Sequence, residues 1–143
     1  MELQLVRRLV VTRHKAGALA AVNDVAEWEA QFYGRIVEVE TSLGSIGGTS
    51  GNTTVDVKKN GTSIFVAAPS IAFNAAQKRR RDSATTLLPV GTVGAAGNLT
   101  PTAGEPNGVD FAPGDLFRVD VTAIPGTASS DLTVDLHCIA KDV

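Results

Sequence analysis

The dipeptide Asn60-Gly61 lies between two β-rich runs, Thr53-Thr-Val-Asp-Val57 and Ile64-Phe-Val66. Both central residues of a type I′ turn need positive φ, which Asn tolerates and Gly takes freely. An Asn-Gly pair in this setting is the strongest short-range hairpin signal a sequence carries. It predicts antiparallel strands near 53–58 and 63–67.

The same period of two recurs elsewhere. Ala26, Trp28, Ala30 and Phe32 alternate with Glu27, Glu29 and Gln31, although the i,i+4 spacing of Trp28 and Phe32 also permits a helix. Val37, Val39 and Thr41 alternate with Glu38 and Glu40. Phe117, Val119 and Val121 oppose Arg118 and Asp120, and Leu132, Val134, Leu136 and Cys138 oppose Thr133, Asp135 and His137. One apolar and one polar face is what a half-buried strand requires. The last two runs, near 116–123 and 131–140, are expected to pair as a closing hairpin. Turns fall at the Gly/Ser stretch 44–51, at Ala112-Pro-Gly-Asp115 and at Pro125-Gly126. Short alternating strands between Gly/Pro turns, with no β-α alternation, predict an all-β fold: an antiparallel β-sandwich, jelly-roll-like.

Two segments do not fit that pattern. Residues 1–24 read as an N-terminal arm with some strand character, preceding a domain at 25–143. Leu5, Leu9 and their neighbours are compatible with either a strand or a helical face. Residues 74–108 read as a long Gly/Pro-rich loop, in which 85–90 could supply a strand. Loops of this length in a compact domain are usually functional or ordered on a partner.

Several function classes find no support. Two histidines, His14 and His137, are too few for most catalytic or metal sets, and alternation turns His137 and Cys138 to opposite faces. No zinc or EF-hand spacing occurs, so no metal, cofactor or catalytic residue is expected. Asp56 and Asp120 read as isolated strand acids. Glu27, Glu29, Glu38 and Glu40 could form an acidic face if their strands pair. The Gly-rich stretch 44–51 lacks the Lys-Ser/Thr end of a phosphate loop. A net charge of -2 and 5% aromatics disfavour nucleic acid. The longest apolar runs are too short for a signal peptide or a membrane span, so neither is expected.

The block Gly34-Arg-Ile-Val-Glu-Val-Glu-Thr41, the Gly-rich loop, and 53–65 ending in Asn-Gly-Thr-Ser-Ile-Phe resemble a recurring module of tailed-phage virion proteins. The later Phe111-Ala-Pro-Gly-Asp-Leu-Phe-Arg-Val-Asp-Val121 and Asp131-Leu-Thr-Val-Asp-Leu136 resemble it too. The resemblance covers 34–73 and 109–140 and leaves out 1–33 and 74–108. It implies a jelly-roll sandwich, often trimeric, in a head fibre, a capsid decoration protein or a tail protein.

The expectation is therefore a non-enzymatic decoration protein, a homo-oligomer and specifically a trimer, that binds the major capsid protein on the virion surface. The alternative is a tail or head-fibre protein that binds a host surface. No small-molecule substrate, nucleic acid or membrane is expected as a partner. The candidate contact residues are Leu5, Arg7, Arg8 and Arg13 in the arm, and the basic run Lys78, Arg79, Arg80 and Arg81.

Overall fold

A computed structural model describes residues 7–83 and 108–140. Ten strands make two antiparallel sheets packed face to face, with no helix among the described residues. They are β1 (Arg7–Ala18), β2 (Ala26–Glu29), β3 (Gly34–Ser45), β4 (Asn52–Lys59), β5 (Thr62–Ser63), β6 (Ser70–Ala72), β7 (Arg79–Ser83), β8 (Val109–Phe111), β9 (Leu116–Ala123) and β10 (Ser130–Ala140).

The first sheet runs β1-β10-β3-β7, with β8 also on β3; the second runs β2-β9-β4-β5, with β6 also on β4. β7 and β8 occupy successive stretches of β3, and β5 and β6 successive stretches of β4. Each pair therefore acts as one interrupted strand. The pairings β1 with β10, β2 with β9, β3 with β7/β8 and β4 with β5/β6 are those of one long hairpin rolled into a sandwich. That is the jelly-roll order.

The tip of the rolled hairpin is Asn60-Gly61, with φ of 50° and 87°. Both angles are positive, as the type I′ turn requires. The second arm is shorter than expected: β5 spans two residues, and the bond from Ile64 N to Val57 O (2.9 Å) extends the pairing. The side chain of Asn60 ties this tip to a distant turn. Its Nδ2 donates to Asp115 Oδ1 (2.9 Å), and its Oδ1 accepts from Leu116 N (2.9 Å). Asp115 in turn accepts from Ala112 N (2.8 Å), closing its own turn. These hydrogen bonds hold the Asp115 carboxyl below the usual carboxylate range: first the Ala112 backbone N–H, then Asn60, with Lys59 adding to them.

The core follows the alternating residues. Val55 and Val57 of β4, Val119 and Val121 of β9, and Leu132, Val134, Leu136 and Cys138 of β10 are all buried. An aromatic knot closes one region: Trp28 stacks on Phe117 (5.2 Å) and meets Phe111 edge-on (5.4 Å), and Phe32 packs on Phe111 (5.3 Å). Gly34 lies under it. A Cβ there would stand 2.5 Å from the Phe111 ring and 2.9 Å from Ile139 O, so only glycine lets the backbone approach.

The structure also changes four other strand readings of the sequence. β9 and β10 do not pair with each other: β9 lies between β2 and β4, and β10 between β1 and β3. The link 124–129 crosses between the sheets. β2 ends at Glu29, not at residue 32. On β3 a register shift opposite His137/Cys138 leaves Val37 as an extra residue, so Ile36, not Val37, enters the core with Val39 and Thr41. Residues 79–83, read as loop, form β7. The strand suggested at 85–90 lies outside the described residues.

Candidate functional site

The candidate contact residues divide between the two outer edges of the first sheet. The described part of the N-terminal segment is β1, whose residues 7–15 pair with β10 from Arg7↔Ala140 to Lys15↔Leu132. Alternation along β1 follows that register. Leu9, Val11, Arg13 and Lys15 share the face of the buried Cys138, Leu136, Val134 and Leu132, while Arg8, Val10, Thr12 and His14 face outward. Leu9, inward-facing on this edge strand, stays 41% exposed, and the outward-facing Val10 54%.

Arg13 is not a free contact residue. Its Nε donates to the carbonyl of Glu27 on β2 (2.7 Å), so it laces the edge of one sheet to the edge of the other. Outward residues are tied within the sheet: Thr12 Oγ1 donates to Asp135 Oδ1 (2.7 Å), and His14 Nδ1 lies 3.0 Å from Thr133 Oγ1. Arg8 is exposed at the strand start. Arg7 begins the strand, and Leu5 lies outside the described residues.

The basic run forms the opposite edge. Arg80 and Asp82 pair with Thr41 and Val39, so both point inward. Arg80 Nε contacts Asp82 Oδ1 (3.0 Å), and its guanidinium also donates to Ser70 O on β6 (3.1 Å). This repeats the Arg13 device: each open side of the sandwich has an inward arginine bonded to a carbonyl of the facing sheet. Burial pushes the Asp82 carboxyl up to about 6, against the lowering effect of Arg80.

Arg79 and Arg81 face outward onto β3. Arg79 Nε meets Glu40 Oε1 at 3.0 Å, and Arg81 Nε meets Glu40 Oε2 at 3.2 Å and Glu38 Oε1 at 3.5 Å. Lys78 Nζ donates to Gly44 O (3.2 Å). The three arginines are thus neutralised within their own sheet, although Arg79 and Arg81 remain about half exposed. Sequence reading missed this because Glu38 and Glu40 are some forty residues away and only strand pairing brings them near.

Cross-strand register also assembles one mixed cluster. Ligand atoms of Glu38, Glu40 and His137 lie within 4.8 Å of one another on the outer face. Glu38 Oε1 and His137 Nε2 are shielded from water and lack hydrogen-bond partners. Imidazole and carboxylates of this kind suit a zinc-like cation. Arg79 and Arg81 already balance the two carboxylates, so a cation would have to displace Arg81. The four glutamates do not make one face: Glu27 and Glu29 lie on β2, in the other sheet.

Asp56 and Asp120, read as isolated, are direct cross-strand partners on β4 and β9. Burial opposes ionisation of Asp120, but the N–H of Asp24 (2.6 Å), Lys58 (3.2 Å) and Arg118 (3.1 Å) outweigh it and lower its titration. Asp56 accepts from Ser63 Oγ. Cys138 is buried, and desolvation pushes its thiol up to about 12, which disfavours the thiolate.

Comparison with protein-family models, curated proteins and solved structures found no match. The site must therefore be read from its own chemistry. Most of the candidate contact cations thus serve the fold, and on the side formed by β1 and β2 Arg8, Leu9, Val10 and Lys15 stay exposed.

Proposed function

We propose that this chain is a non-enzymatic structural protein of a tailed-phage virion, a decoration protein that binds the outer shell and stabilises it. One observation carries the reading. The two blocks on which the resemblance rests, 34–73 and 109–140, are joined through Asn60 and Asp115. The quoted motifs are therefore parts of one structural unit. The jelly-roll order supports the reading more weakly, because that architecture serves virion proteins, lectins and cupins alike.

In this role the partner is the major capsid protein, and the action is mechanical. Each subunit bridges shell subunits, and homo-oligomerisation adds avidity because several weak contacts act together. The contact elements, toward the shell or a sister subunit, are the exposed Leu9, Val10, Arg8 and Lys15 of β1. Lys78, Arg79 and Arg81 form a second, already paired, basic strip.

An image reconstruction of particles lacking the chain, before and after adding it, tests the assignment. Added density on the outer shell, with a raised temperature of genome release, is expected. Density confined to the tail would favour the host-binding alternative, and no density at either place would remove both.

A further inference from the structure

We propose that the side of the sandwich formed by β1 and β2 is a self-complementary interface through which two copies pair, with β1 of each beside β2 of the other. The proposal rests on the assembly reading but sets a two-fold pair where the resemblance implies a trimer, and its test needs no shell.

Both strands are sheet edges. Among the described residues β1 pairs only with β10, and β2 only with β9. Unpaired edges present rows of N–H and C=O groups that can template another strand. The two edges lie on the same side, as the bond from Arg13 Nε to Glu27 O (2.7 Å) shows. They also run in opposite directions. β1 ends at Ala18, opposite the start of β10, whereas β2 leaves that end and finishes at Glu29, opposite the start of β9.

Charge is divided between them. β1 carries Arg7, Arg8, Arg13 and Lys15 and no acid, while 24–29 carries Asp24, Glu27 and Glu29 and no base. The acidic edge is crowded: Asp24, by hydrogen bond and by charge, raises the titration of Glu27. Leu9, Val10 and Val22 are 41%, 54% and 49% exposed along this side.

A second copy can extend both sheets in two ways. A two-fold axis perpendicular to the sheets sets β1 against its own copy, basic strand on basic strand. A two-fold axis along the strands sets β1 against the partner's acidic β2, and β2 against the partner's β1. Opposite β1 and β2 directions keep the extended sheets antiparallel in the second case. Opposite charges on adjacent strands attract and like charges repel, so charge selects this isologous arrangement. It covers all the edges of that side at once.

The full chain should sediment as a dimer at low ionic strength and dissociate as salt rises. Glu27→Lys with Glu29→Lys makes both edges basic, and Arg8→Glu with Lys15→Glu leaves β1 with no net charge beside the acidic β2. Each double variant alone should dimerise at least about tenfold more weakly. Mixed together, the two should form a one-to-one heterodimer. All four residues are exposed, and thermal melts check that each variant is folded. A monomeric or trimeric parent chain overturns the proposal. So does undiminished dimerisation of the Glu27→Lys, Glu29→Lys variant, which the β1-to-β1 arrangement predicts. Dimerisation without shell binding would instead reject the virion reading alone.

Discussion

Asp82 has its carboxylate turned into the sandwich from an edge strand, and the residue is fully buried. Its folded carboxyl titrates near 6, against an ordinary value of 3.8. The folded state therefore binds the proton more tightly than the unfolded chain. Stabilisation by protonation is complete below about pH 4 and is lost as pH rises through about 6. Asp82→Asn should accordingly stabilise the protein at pH 7 by up to about 3 kcal/mol, and by almost nothing below pH 4. Urea titrations at the two pH values measure the difference; equal gains at both would reject the burial account. Asn60 is the second residue whose effect can be separated. Asn60→Ala removes two hydrogen bonds and strains a positive φ, for a loss of about 2–3 kcal/mol. Asn60→Gly relieves only the strain and should recover about 1 kcal/mol of it. A glycine variant no better than alanine in chemical denaturation would show that φ contributes little.

At the scale of strands, β4, β9 and β10 were legible because each has one face in the core and one polar face. β7 was not. Arg80 and Asp82 point inward while Arg79 and Arg81 point outward, so neither face is apolar and the period of two vanishes. Inward charges on an edge strand also discourage uncontrolled pairing with other chains. The bulge at Val37 was hidden for a related reason: both Ile36 and Val37 are apolar, and only the register against β10 shows which enters the core. Basic candidates were visible as residue types, but their acidic partners belong to another strand, and pairing between distant strands is not encoded locally. β1 gives the prediction proper to this scale. Deleting residues 1–18 uncovers the edge of β10 with its buried Leu132, Val134 and Leu136. The shortened chain should melt at lower temperature and scatter light on heating; an unchanged melt would mean that β1 adds nothing to the fold.

The whole molecule is a single hairpin rolled on itself, so its contacts join residues far apart in sequence. Folds dominated by such pairings form in milliseconds to seconds, not microseconds. Cys138 reports on the complete structure. It lies buried on β10, between β1 and β3, with its thiol held near 12. Alkylation of the native protein should be slow, and in mild denaturant its rate should follow global unfolding measured by tryptophan fluorescence. Faster labelling would reveal opening of β1 or β10 alone. The rolled order also bears on how the chain is made. β1 is synthesised first, yet its partner β10 comes from residues 130–140. While the ribosome adds the intervening chain, β1 waits without its partner strand, and Val11 without the core it packs against. The sandwich closes only when the last strand has left the exit tunnel, so nascent chains stalled before that point should be held by chaperones and cut readily by proteases.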